Sequence, residues 1–297
     1  MREKEFVNNS ESKYKKRSQL GSIWKRLRKN KTAVAGLCVI CIFVLIAIFA
    51  DVIADYSTMA IRMNAAEALQ PPGVGHLFGT DEYGRDVFAR VVHGSRVSIS
   101  IGLLTVSIAV AFGGLLGSIA GYFGGPVDNI IMRIMDTVMS IPAVLLTLSI
   151  VAALGPGMVN LLWAMAIATI PGFTRVIRSV VLPTVNQDFV EAAKACGTSN
   201  RRIILRHIIP NAIGPIIVQA TMAISGMILA AAALSFIGMG IQPPRPEWGS
   251  MLSSAREYMM NSPYLVVFPG LAIVTVALSF NLFGDGLRDA LDPRLKN

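Results

Sequence analysis

An uninterrupted apolar run from Ala33 to Ala50 constrains this chain more than any other feature. Its 18 residues, at 1.5 Å of rise each, make roughly 27 Å of helix, close to the hydrocarbon thickness of a bilayer. A signal peptide has a shorter apolar region and a small-residue cleavage site, neither of which is evident here, so the run predicts a retained first span. Five further apolar stretches follow at about 97–122, 137–154, 159–173, 211–240 and 264–284. The sequence therefore predicts an all-α integral membrane protein with six transmembrane helices.

Charge sets the orientation. Of the 27 Lys and Arg residues, 11 lie between Arg2 and Lys31, so the formal net charge of +9 belongs to a tail and does not point to nucleic acid. With six spans, the tail, residues 123–136, residues 174–210 and the C-terminal segment share one side and carry 21 of the 27 cations. The other side holds Arg62, Arg85, Arg90, Arg96, Arg245 and Arg256. The positive-inside rule then places both termini in the cytoplasm and the connection of residues 56–96 outside. The expected organisation is a basic tail at 1–32, a first helix at 33–55, that connection, a five-helix core at 97–284 and a C-terminal tail at 285–297. The basic clusters Lys13 to Arg17 and Lys25 to Lys31 read as topology determinants lying on anionic lipid.

Several function classes are disfavoured. No Asp, Glu, Lys or Arg occurs between Thr137 and Thr174, between Ile208 and Pro244, or between Tyr258 and Gly284. An ion-coupled carrier needs an ionisable group at depth, so the work on a solute must come from elsewhere. Three histidines, at positions 76, 93 and 207, assemble neither a catalytic set nor a metal cluster, and are expected to be solvated or interfacial. Cys38 and Cys41 form a CxxC inside the first apolar run, where no water supports thiol exchange, and Cys196 has no ligand partner at suitable spacing. The block Gly79-Thr80-Asp81-Glu82-Tyr83-Gly84-Arg85-Asp86 has the glycine spacing of a phosphate loop but lacks its lysine and hydroxyl, and its acids would repel phosphate. It reads as a turn held by Asp81 and Asp86 with left-handed glycines, or as an extracytoplasmic contact or gate built from Gly79, Asp81, Gly84, Arg85 and Asp86.

Within the spans, Gly113, Gly117 and Gly121 fall four apart and predict a close helix–helix seam. Pro142, Pro171 and Pro269 predict bends that give the bundle its shape. The most informative segment is 182–210, LPTVNQDFVEAAKACGTSNRRIILRHIIP. It predicts a helix of about eight residues capped by Asp188 with Glu191 three positions on, a stop at Gly197, and a second helix begun by Thr198 or Ser199. In that second helix Ile203, Ile204 and Ile208 form an apolar stripe opposite Arg201, Arg202 and Arg206, suited to lying on the membrane surface before Pro210 opens the next span. So short a helix is marginal in water and implies a cytoplasmic docking partner.

Glu191-Ala192-Ala193, three residues, Gly197 and a distal Pro210 resemble the EAA loop of ATP-binding-cassette importer permeases, although His207-Ile208-Ile209-Pro210 departs from the general I-x-L-P ending. Residues 78–87, the pair Ile141-Pro142 after Met132-Arg133-Ile134-Met135-Asp136, and residues 281–289 resemble the C-type permeases of dipeptide and oligopeptide systems. The resemblance runs from about residue 25 to the end. It implies a type I importer permease in the cell membrane that hydrolyses no ATP, with ATP and Mg²⁺ bound by two partner ATPase subunits. It also implies a homologous second permease and an extracytoplasmic solute-binding protein. Glu191, Ala192, Ala193 and Gly197 would couple to the ATPase, and the solute would be a dipeptide, a longer peptide, glutathione or a nickel complex.

Overall fold

The computed structural model describes residues 19–291, so the expected lipid contact of Lys13 to Arg17 lies outside the described residues. The chain is helical: α1 Gln19–Leu27, α2 Lys31–Ile48, α3 Val87–Phe123, α4 Gly125–Met139, α5 Ala143–Leu154, α6 Met158–Val185, α7 Asp188–Ala195, α8 Asn200–Phe236, α9 Trp248–Ala255 and α10 Tyr264–Leu291. Two isolated bridges, Gly73 with His76 and Thr80 with Asp86, are the β pairings among the described residues.

Helices α2, α3, α6, α8 and α10 are each long and apolar enough to cross a membrane, while α4 and α5 meet at an 80° bend. Packing decides whether that pair counts as a crossing. Leu27, just before α2, is buried against Ala33, Phe283 and Ala290 at the far end of α10, so the chain enters and leaves at one end of the bundle. An even number of crossings follows, and α4 with α5 makes the sixth. The two ends are called here the tail end, with α1 and α7, and the connection end, with residues 54–86 and α9.

Several span boundaries differ from expectation. Helix α3 starts at Val87 rather than 97, because Asp86 caps it by accepting from Ala89 N at 2.8 Å and because its polar side chains find partners outside the helix. Arg90 donates to Ala60 O (3.0 Å), and His93 Nε2 bonds Ala54 O (2.7 Å) while its ring meets Tyr56 edge-on. At 37 residues, about 55 Å, α3 stands well clear of the bilayer core. The third span is not the single helix expected over 137–154. It breaks where Pro142 lacks an N–H and pushes Ile141 out of helical geometry, and its first half reaches back to Gly125 through residues read as loop. Helix α6 continues past 173 to Val185 with Pro171 and Pro183 inside it.

Helix α8 absorbs the second helix of the 182–210 segment, so Asn200 to Phe236 is continuous and no separate surface helix forms. A π-type turn over Ile204–Ile208 loosens the backbone just ahead of Pro210, which can neither donate to that turn nor tolerate its carbonyl close by.

The core lies between α3, α6, α8 and α10, where Val106, Phe173, Ile177, Ile228, Val276 and Phe280 are buried together. The glycine face of α3 sets how near α6 comes. A Cβ on Gly117 would stand 2.5 Å from Thr174 O, one on Gly113 2.8 Å from Phe173 Cβ, and one on Gly121 2.8 Å from a Val181 methyl. Outward, Leu103, Leu115, Val144, Leu271 and Leu278 remain exposed, the surface a bilayer would cover.

Candidate functional site: an exposed short helix at one end and a locked connection at the other

At the tail end, α7 has the expected eight residues but not the expected cap. Gln187 occupies the N-cap position and no side chain caps the helix. Asp188 is already in the first turn, where its charge favours the helix dipole without bonding a backbone N–H. The Glu191 carboxylate is exposed and has no hydrogen-bond or ion-pair partner among the described residues. The helix stops at Gly197, whose φ is +73°. Thr198 N donates to Ala193 O (3.1 Å) and Gly197 N to Lys194 O (2.9 Å), the paired bonds of a Schellman stop.

What holds α7 to the bundle is slight. Val190 is fully buried and Ala193 half-buried, whereas Phe189, Glu191, Ala192, Lys194 and Gly197 face outward. Lys194 lies over the Tyr122 ring at 5.4 Å, and Tyr122 OH donates to Asn200 Oδ1 (2.7 Å). Ser199 sits at the N-cap of α8, but neither its hydroxyl nor that of Thr198 caps the helix. Ile203, Ile204 and Ile208 are buried, while Arg201, Arg202 and Arg206 rim a surface concavity of about 360 Å³ with Ser199 and Leu205.

Two ion pairs that sequence reading missed brace this end. Arg178 grips Asp128 through two nitrogens at 2.5 Å, and Arg175 reaches Asp136 at 2.6 Å, tying α4 to α6. The partners are 50 and 39 residues apart, a separation that no spacing rule inspects.

At the connection end, residues 79–86 form a turn closed on itself. Asp81 accepts from Tyr83 N (2.9 Å), Arg85 N (3.0 Å) and Arg85 Nε (2.7 Å), with Arg90 Nε at 3.3 Å. Arg85 is 1% exposed and lies over the Tyr83 ring at 4.5 Å. Thr80 Oγ1 donates to Glu67 O, and Thr80 O accepts from Tyr264 OH at 3.0 Å, joining the turn to α10. Gly79 and Gly84 have φ of +79° and +73°. A Cβ on Gly84 would collide with Asn64 O at 1.8 Å. Burial pushes the neighbouring Glu82 carboxyl above its ordinary value.

Asp81, Arg85 and Asp86 are buried, so these side chains offer no surface to another protein. The exposed groups beside them are Tyr83, Leu77 and Val74. One histidine, His93, departs from the solvated or interfacial place expected of the three, and His76 keeps part of its ring exposed. His93 is 3% exposed, and His76 Nδ1 pairs with Asp86 Oδ2 at 2.8 Å. His207 is half-buried with its ring 6.5 Å from that of Phe189. Among the described residues no group of three or more His, Cys, Asp and Glu side chains could hold a metal ion.

Glu247 was also missed. It is 1% exposed and caps α9, accepting from Gly249 N and Ser250 N at 2.8 Å each and from Ser98 Oγ at 3.2 Å. Burial among these neutral donors pushes its carboxyl upward. The one local sign was Gly249, whose missing side chain lets α9 lie against the Ala232 backbone, 2.5 Å from where a Cβ would be. Between α5, α6 and α8 the bundle leaves an apolar groove of about 310 Å³, lined by Ala143, Thr147, Thr169, Met227 and Leu234 among others.

Residues 113–297 match the sequence profile of a family described as binding-protein-dependent transport system inner membrane component. This chain belongs to that family. Residues 18–72 match a second profile, N-terminal TM domain of oligopeptide transport permease C. The permease is 47% identical to the dipeptide transport system permease protein DppC of Alkalihalophilus pseudofirmus, with 97% of this chain and 94% of that one covered. It is 42% identical to the di/tripeptide transport system permease protein DppC of Pseudomonas aeruginosa, covering 94% of each. Against the glutathione transport system permease protein GsiD of Escherichia coli the identity is 43%, over 92% of this chain and 90% of the relative. Two inward-facing structures of the MetNI methionine ABC transporter superpose with TM-scores of 0.54 and 0.55 at 15% identity. They match over 68% of this permease and 96% and 97% of theirs, a likeness of fold.

Proposed function

We propose that this permease forms half of the path by which short peptides enter the cell, driven by ATP hydrolysed in separate subunits that α7 engages. One observation carries the coupling: an eight-residue helix is fastened to the bundle by a single fully buried side chain, Val190, and turns Glu191, Ala192 and Gly197 outward. A helix so short gains its order from packing, and here half of that packing is left for another protein to supply. Ala192 and Ala193 let a partner's surface approach closely, and Glu191 is a free carboxylate available for an ion pair. ATP and Mg²⁺ belong to the ATPase partners. A second permease of the same fold would complete the path, and a solute-binding protein would meet the connection end beside Leu77 and Tyr83. Both termini then lie in the cytoplasm.

The peptide substrate is supported by the dipeptide relatives, and a glutathione substrate is the second reading, favoured by the 43% relative. Co-reconstitution with candidate ATPases, a sister permease and a binding protein tests the coupling. Glu191→Arg and Gly197→Val should abolish ATP-driven uptake of a labelled dipeptide and leave membrane insertion intact. Unchanged uptake in both variants would remove the assignment, while uptake of glutathione in preference to dipeptides would select the second substrate.

A further inference from the structure

We propose that α1 is a membrane-surface anchor and that its occupant is the anionic phospholipid of the leaflet at the tail end. The helix is fixed in height. Leu27 is 4% exposed in a cluster with Ala33, Phe283 and Ala290, and Asn30 caps α2 by accepting from Ala33 N at 3.1 Å. Gly286 makes the approach possible, since a Cβ there would stand 2.1 Å from the Ala33 methyl.

Exposed beside this contact are the Trp24 side chain, 53% exposed, and the cations Lys25, Arg28, Lys29 and Lys31. None of the four cations has an ion-pair or hydrogen-bonded partner among the described residues. The sequence contains no Asp or Glu between Glu11 and Asp51, and Asp285 and Asp289 of α10, the helix that packs on α1, are exposed and form no ion pair with these cations. An indole and a row of cations directly before an apolar span are the groups that settle at headgroup depth, the ring in the interface and the charges on lipid phosphates.

Lipid rather than an acidic protein face is favoured by where α1 sits. It abuts the start of α2, of whose apolar window only 11% is buried in the bundle, against 44% for α10. The cationic patch is thus continuous with the flank of the molecule most open to acyl chains.

Trp24 emission in the full-length permease, held in nanodiscs of mixed phosphatidylcholine and phosphatidylglycerol, tests this. Its signal is isolated as the difference between the wild type and Trp24→Phe, since Trp163 and Trp248 are common to both. Brominated phosphatidylglycerol should quench that difference more than brominated phosphatidylcholine. The preference should fall about fivefold for each cation neutralised in the series Lys25→Gln, Arg28→Gln, Lys29→Gln, and should vanish in 1 M salt, where the screening length is roughly 3 Å.

Equal quenching by the two lipids, no quenching by either, or a preference that survives the triple substitution would overturn the proposal. Loss of quenching when ATPase subunits bind would assign α1 to a protein partner and overturn it as well. Trp248 emission, from a fully buried ring, reports that each variant remains folded. The assay uses no ATP, peptide or binding protein, so its failure is separate from any failure of the transport reading.

Discussion

The two ends of the bundle solve opposite problems. The turn of residues 79–86 buries Asp81, Arg85 and Asp86 and returns each of them to the chain through bonds to His76, Ala89, Arg90 and its own backbone. Helix α7 leaves Phe189, Glu191, Ala192 and Lys194 outside and keeps only Val190 fully within. Buried charge without a partner is strongly unfavourable, so the first region must satisfy itself, and Arg85 Nη1 is its one buried side-chain nitrogen or oxygen left without a hydrogen bond among the described residues, whereas exposed carboxylates and alanines carry no such penalty. One end is therefore a structural lock, and the other is exposed surface, as the proposed docking of a partner requires.

Substitutions should separate the two ends by their effect on thermal unfolding in detergent, followed by Trp emission. The largest loss is expected for Asp81→Ala, which strips Arg85 and Arg90 of their shared carboxylate, about 3–5 kcal/mol for a broken buried pair. A permease that melts as the wild type after this change would show that the connection end is not locked by charge. Glu247→Ala orphans the Gly249 and Ser250 amides and the Ser98 hydroxyl and should cost about 1–3 kcal/mol.

Glu82 gives a smaller, pH-dependent effect. Its folded pKa is raised above 4.5 by burial, so the folded state binds its proton more tightly than the unfolded one. Ionisation at neutral pH therefore opposes folding, and stability should rise as the pH falls through the folded pKa toward 4.5. In Glu82→Gln that rise should be absent from the melting profile; its persistence would place the titration elsewhere. The smallest change is expected for Glu191→Ala, within about 0.5 kcal/mol of wild type, as for an exposed side chain without partners. A large destabilisation there would mean that α7 is part of the lock and not a surface awaiting a partner.

The sequence carried the spans, the turn at Gly197 and the length of α7, because each depends on neighbours within a few residues. It misjudged the cap of α7. Asp188 and Glu191 have the spacing of a capping box, but the chain reaches helical geometry one residue earlier, at Asp188 itself, which leaves extended Gln187 at the N-cap. It also began α3 too late, since the charged residues ahead of 97 read as loop, and it made the first turns of α8 a separate surface helix. Arg90 and His93 stay in a helix because carbonyls of Ala60 and Ala54, more than thirty residues away in one case and thirty or more in both, receive their hydrogen bonds. The acid at position 247 passed unremarked for a related reason: its hydroxyl partner, Ser98, lies 149 residues upstream.

What the sequence determined by itself is that this chain crosses a membrane several times and owns no buried charge in its last four apolar stretches. Crossing a bilayer is a local demand, met or failed by any window of about 20 residues, because the free energy is that of transferring those side chains and no others. The 80° break between α4 and α5, the ion pairs that tie α4 to α6, and the closed charge network around Asp81 were decided only by the tertiary structure. Whether a charge, a capping group or an opened helical turn is tolerable depends on what stands opposite it in space, and for these groups the opposite residue comes from another part of the chain.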